Sequence, residues 1–140
     1  MPEKNKAHKI ARHMLEHDAF SKWLGVKIVE AEPGRSVLRI RIREEMVNGF
    51  GVTHGGVTFA LADSALAFAA GSHGRISLAL DNKVTFVKPV NTGDSLTAIA
   101  EEEHRGRQIA VYNITVKNQD DTIVALMRGT VYRTNREFIF

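Results

Sequence analysis

Two periods of apolar spacing divide the chain. Residues 7–23, with Leu24 just beyond, set Ile10, Met14, Leu15, Phe20 and Trp23 at roughly helical spacing. That predicts an amphipathic helix closing over something, so residues 1–23 read as an N-terminal helical segment. Gly25 ends it. From residue 26 the period shortens. Val26, Ile28 and Val29 predict a short strand, and Pro33-Gly34 a turn. Then Val37, Arg39, Arg41 and Arg43 alternate with Leu38, Ile40 and Ile42. This is the pattern of a half-buried strand with a basic outer face.

A loop over 44–54 leads to an unusual stretch, 55–71, rich in Ala, Leu and Phe. Thr58, Asp63 and Ser64 are its only clearly polar side chains. A helix apolar on nearly every side is a buried one. Four strands are predicted after it, at about 77–88, 95–104, 108–117 and 122–134. Asn91-Thr92-Gly93-Asp94, Arg105-Gly106-Arg107 and Asn118-Gln119-Asp120-Asp121 separate them. These connections have hairpin length, so the sheet should be antiparallel. The fold class is α+β: a long central helix, about six antiparallel strands that must curl around it, and an N-terminal helix. With 140 residues and no linker or repeat, the chain is one domain over 1–140.

Composition narrows the chemistry. The chain has no cysteine, which excludes disulfides, thiolate nucleophiles and cysteine-ligated metals. Lys+Arg 19 against Asp+Glu 16 leaves a net charge of +3, spread out rather than clustered as a nucleic-acid binder would have it. The longest apolar stretch, Val57 to Ala70, is too short and too polar for a membrane span. The polar N-terminus lacks the apolar region of a secretion signal. The expectation is a soluble cytoplasmic protein with no nucleic-acid or membrane partner.

The chemically informative run is Asn48-Gly49-Phe50-Gly51-Val52-Thr53-His54-Gly55-Gly56, leading into the helix that carries Asp63. Two glycines at a helix start expose backbone N–H donors at its positive end, where a developing oxyanion would be stabilised. Asp63 is a carboxylate within an apolar helix, and such charges are rarely buried unless paired or functional. Gly56 and Asp63 are seven positions apart, nearly on one face but about 10 Å apart along the axis. One carbonyl needs nucleophile and oxyanion donors within about 3 Å. A single helix cannot supply both, whereas two antiparallel helices from two subunits can.

These residues, the chain length and the element order resemble the hotdog-fold acyl-CoA thioesterases. The similarity is strongest to the phenylacetate-degradation subfamily, whose signature is Asn, then His-Gly-Gly, then Asp on the central helix. It runs over about residues 15–134 and includes Asp81 to Val90 and the Arg105-Gly106-Arg107 turn. The resemblance implies a homodimer, assembled further into a homotetramer, with active sites at the subunit interface. The substrate would be an aryl-acyl or medium-chain acyl-CoA. No separate cofactor is implied, since coenzyme A is part of the substrate. Gly56 would polarise the thioester carbonyl, with Gly55 beside it, and Asn48 and His54 would support that site or the leaving sulfur. Asp63 of the neighbouring chain would attack or activate water. Some relatives place Ser or Thr on the strand facing the Asp; the corresponding position here is Ala79, with Ser77 two residues earlier. Lys83, Lys88, Arg105 and Arg107, with Arg128 and Arg133, are candidates for the CoA phosphates.

Plainer roles stand beside these. Asp63 could be a structural Asp bonded to a backbone turn, His54 a loop anchor, Asn48 a turn residue, and Gly55 and Gly56 a means of packing two helices closely. His13-Met14-Leu15-Glu16-His17 matches an inverted zinc-protease motif, but it sits on a solvated helix face without a third ligand, so no metal is expected. The glycine-rich run lacks the Lys-Ser/Thr of a phosphate loop. Two other activities are the alternatives. A hotdog dehydratase or hydratase would need a His paired with an acid. A non-catalytic acyl-CoA-binding regulator would normally need a DNA-reading helix-turn-helix, and only about twenty residues precede the first strand.

Overall fold

A computed structural model describes residues 2–139; the two ends of the domain expected over 1–140 lie outside the described residues. In chain order the elements are α1 (Glu3–Glu16), α2 (Ala19–Leu24), β1 (Lys27–Glu32), β2 (Arg35–Arg41), α3 (Gly55–Gly71), β3 (Arg75–Phe86), β4 (Ser95–Arg105), β5 (Ile109–Lys117) and β6 (Ile123–Glu137). A 3-10 turn at Glu44–Met46 lies between β2 and α3. The strands form one antiparallel sheet in the order β1-β2-β4-β5-β6-β3. β3 reaches the far edge because α3 carries the chain across the sheet.

The alanines and leucines of α3 lose little side-chain freedom in a helix. Its Leu61, Ala62, Ala65, Leu66, Phe68 and Ala69 are buried in one core with Leu38, Ile40, Ile114 and Met127 of the sheet. Alanines at 98, 100, 110 and 125 are also buried there, so the helix can lie close to the strands. Hydroxyls hold its C-terminal half. Ser36 Oγ donates to Ala65 O at 2.6 Å, and Ser72 Oγ donates to Ala69 O at 2.6 Å while accepting from Gly34 N at 2.7 Å. The β1–β2 turn is thereby tied to the helix end. Among the described residues, no helix is long and apolar enough to cross a membrane.

Two local expectations change. The N-terminal segment is two helices, because the chain restarts at Asp18: its Oδ1 accepts from Ser21 N at 2.9 Å and caps α2. Gly25, at φ +88°, ends α2 where the pattern places the stop. The basic face of β2 is shorter than the alternation suggests. Arg39 and Arg41 are exposed, but Val37 is buried and the strand stops before Arg43. The Arg43 guanidinium instead donates to Trp23 O and Leu24 O, both at 3.1 Å, and lies 5.3 Å from the Trp23 ring centroid. It closes the carbonyl end of α2, the favourable end for a cation.

Candidate active site

The loop before α3 is shaped by Asn48. Its Oδ1 accepts from Phe50 N at 2.8 Å and Val52 N at 3.4 Å, and its own N–H donates to Val52 O at 2.7 Å. The side-chain carbonyl thus performs the turn role. His54 follows as the N-cap of α3, its Nδ1 accepting from Gly56 N at 2.8 Å. That bond assigns the ring proton to Nε2. A Cβ on Gly56 would meet His54 Nδ1 at 3.0 Å, so the bare glycine is what lets the imidazole fold over the helix start. The Gly55 N–H has no partner among the described residues, and the Phe86 ring lies against its Cα.

Asp63 sits two turns further along, half-buried. Asn82 Nδ2 donates to its Oδ1 at 2.9 Å. Among the described residues no cation pairs with Asp63 and no backbone group bonds its carboxylate. That is not the arrangement of an Asp kept to cap a turn. Gly56, Phe59, Ala60 and Asp63 of α3 open, with Phe20 of α2, onto one concavity of about 460 Å³. Beneath it runs a polar chain. Ser21 Oγ donates to Asp18 Oδ2 at 2.6 Å, so Ser64 Oγ is the donor across the 2.8 Å gap to Ser21 Oγ. Helix α2 is latched to α3 through this chain.

The strand facing Asp63 differs from the expectation. Ser77 and Ala79 lie on β3, opposite Arg133 and Val131, and neither bonds Asp63; Ser77 Oγ is buried without a partner among the described residues. The register shifts between Ala79 and Asp81. This bulge moves the inward-facing positions from odd to even numbers, so Asn82 and Val84 face Gly129 and Met127, both buried. Simple alternation from Ala79 would have put 81 and 83 inward, and so Asn82 is the site residue that the sequence reading misses. Its only signal is a polar amide in mid-strand.

Of the candidate cations, only Lys88 stands at the helix start. It lines a groove of about 380 Å³ with Gly55, Thr58, Phe86 and Val90. Lys83 is exposed on the outer face of β3 beside Arg128, which pairs with Glu103. Arg105 and Arg107 lie at the opposite end of α3. There His73 bonds Glu102 Oε1 at 2.8 Å and Arg105 also bonds the imidazole. Tyr112 Oη donates to Glu102 Oε1 at 3.1 Å, and Arg133 donates to Gly106 O at 2.7 Å. Burial pushes the His73 pKa down, against the pull of Glu102, and the Arg105 charge adds to the lowering. Burial, with the Glu102 charge, pushes the Tyr112 phenol up. Within one chain, then, Arg105 and Arg107 belong to a separate cluster.

The chain is 40% identical to the acyl-coenzyme A thioesterase PaaI of Escherichia coli over 129 residues, 92% of each chain. The structure of the E. coli PaaI protein from the phenylacetic acid degradation operon superposes with a TM-score of 0.95 at 38% identity, covering 97% of this chain and 99% of that one. A hypothetical thioesterase from Streptococcus pneumoniae, solved with coenzyme A, superposes with a TM-score of 0.78 at 25% identity, covering 81% and 91%. The architecture is the hotdog fold. Residues 50–125, from the glycine-rich loop through most of the sheet, match the thioesterase superfamily, and the chain belongs to that family.

Proposed function

We propose that the protein is a cytoplasmic acyl-CoA thioesterase that hydrolyses an aryl-acyl or medium-chain acyl-CoA to the free acid and CoA. The observation that carries this is Asp63, a half-buried carboxylate with no cation partner among the described residues, on the same apolar helix whose glycine start carries the unpartnered Gly55 N–H. The thioester carbonyl oxygen takes the backbone donors of Gly55 and Gly56, replacing the His54 imidazole that holds the Gly56 N–H in the free enzyme. Asp63 either attacks the carbonyl carbon or takes a proton from the attacking water. The C–S bond then breaks, and the thiolate leaves and is protonated as CoA; where Asp63 itself attacks, this leaves an acyl–Asp63 anhydride, which water hydrolyses to the free acid and the regenerated carboxylate. This chemistry uses side chains and backbone amides alone, without a cofactor. Lys88, in the groove beside Gly55, is the cation best placed for the CoA arm. A dehydratase would need a His–acid pair here, and among the described residues His54 has no acidic side chain as a partner.

Two copies complete the site. Gly56 and Asp63 still share one helix, about 10 Å apart along its axis, so each carbonyl takes its oxyanion donors from one chain and Asp63 from the other. Strand β3 supports this. It is an edge strand of 12 residues, long for an unprotected edge. Leu78 and Leu80 on it are 58% and 56% exposed, and Phe50 in the loop before α3 is 93% exposed. Apolar surface of this kind marks an interaction site. Two dimers then form the homotetramer implied by the resemblance, which light scattering would count.

The test is a panel of acyl-CoAs followed at both the thioester and the enoyl absorbance bands. Loss of the thioester band with release of free thiol supports hydrolysis. Change at the enoyl band alone supports the dehydratase, and binding without either change a regulator.

A further inference from the structure

We infer that Asn82 is a positioning residue for Asp63 and that Gly129 is the notch that holds it in place; this rests on the proposed role of Asp63. The β3–β6 register sets Asn82 directly opposite Gly129. A Cβ at position 129 would lie 2.5 Å from Asn82 Oδ1 and 2.6 Å from Leu66 Cδ2. The Asn82 amide therefore sits over a bare Cα, wedged between β6 and the core face of α3. An ionised carboxylate only accepts hydrogen bonds, so Nδ2 is the atom that faces Asp63, at 2.9 Å.

That orientation has a cost. Asn82 Oδ1 is turned inward, where it is buried and has no partner among the described residues, an unfavourable state for a carbonyl. A Leu of similar shape would fill the same space without stranding an acceptor. What Asn offers and Leu does not is the bond to Asp63. The bond engages Oδ1 and fixes the carboxylate plane from a rigid strand. Oδ2 is left for the thioester or the attacking water. Among the described residues, Asp63, half-buried on an apolar helix, has no cation and no other hydrogen-bonding side chain to hold its rotamer.

The test combines steady-state kinetics with thermal unfolding for Asn82→Leu, Asn82→Ala, Gly129→Ala and the double variant Asn82→Ala/Gly129→Ala, with Asp63→Ala as the inactive reference. Loss of the Asp63 bond should lower kcat by about 10- to 100-fold and leave KM within about twofold, the pattern of a misplaced reacting group. Asn82→Leu should keep the wild-type Tm or exceed it, which separates positioning from structural support. Gly129→Ala should lower kcat by displacing the amide; once Asn82 is already Ala the new methyl still meets Leu66, so it should cost Tm but lower kcat by no more than about twofold further. Should Gly129→Ala fail to fold, the two Asn82 variants decide. Wild-type kcat in Asn82→Leu, or losses at 82 and 129 that multiply, overturns the inference while Asp63→Ala remains inactive and the proposed function stands. A wild-type protein that hydrolyses no acyl-CoA removes both.

Discussion

Asp18→Ala should loosen α2 from α3. The Asp18 carboxylate makes two bonds. One carboxylate oxygen caps the helix through Ser21 N at 2.9 Å, and the other accepts the Ser21 hydroxyl at 2.6 Å. Losing the cap costs about 0.5–2 kcal/mol. Ser21 is 1% exposed, and the bond its hydroxyl gives to the charged carboxylate, about 1.5–3 kcal/mol, is lost as well. The chain continues to Ser64, whose hydroxyl donates to Ser21. A total of roughly 2–5 kcal/mol follows, or about 6–20 °C in Tm for a domain of this size. Asp18→Asn keeps a capping acceptor and should cost far less. Ser21→Ala keeps the cap and frees the Ser64 hydroxyl to turn to a backbone carbonyl of its own helix, an intermediate case. The assay is thermal unfolding of the three variants, with limited proteolysis to report release of residues 19–24. Because Phe20 lines the concavity that contains Asp63, KM for acyl-CoA should rise with the loosening. A Tm loss under about 2 °C for Asp18→Ala would refute the reasoning. It would mean that Arg43, from the other end of α2, holds the helix by itself.

Two further outcomes are expected. Asp63→Ala and Gly56→Leu, each inactive as a homodimer, should regain activity when their subunits exchange. One site of each mixed dimer then carries neither lesion, giving about a quarter of wild-type activity in an equal mixture. No recovery under proven exchange would place the whole site in one chain. His73 should make stability sensitive to acid. Its pKa is lowered in the fold by burial first, with Arg105 adding and Glu102 opposing. The unfolded chain therefore binds the proton first: stability is full above the ordinary value of 6.5 and falls as pH drops through it toward the folded value. Denaturant unfolding from about pH 7.5 to about pH 5.5 should show a smaller loss for His73→Gln than for wild type, and equal losses would contradict the assignment.

What the sequence makes legible is local. The period of 55–71 marks the buried helix, the hairpin-length turns mark the antiparallel strands, and Gly25 marks a helix end. Asp63 and the His54-Gly55-Gly56 cap stand out because a carboxylate and two glycines are out of place in an apolar run. Non-local features are hidden. The bulge at Leu80 decides which β3 residue meets Asp63, and a one-residue slip reverses every later side chain. The resemblance implies Ala79 as the facing position, and the bulge that brings Asn82 to Asp63 leaves no mark in the sequence. The break at Asp18 was masked because the apolar spacing carries on across it from Met14 and Leu15 to Phe20. The cations illustrate the same limit: Lys88 and Arg105 look alike in sequence, yet one lies at each end of α3. Strand order is also non-local, since the crossover that sends β3 to the edge depends on where α3 lands.

The most direct measurement is acyl-CoA hydrolysis by wild type and by Asp63→Ala, with circular dichroism and Tm showing that both are folded. Wild type should release free CoA thiol from an aryl-acyl or medium-chain acyl-CoA. Asp63→Ala should lose about 10²- to 10⁴-fold in kcat at an unchanged fold. Near wild-type hydrolysis by a folded Asp63→Ala would contradict the role of this carboxylate.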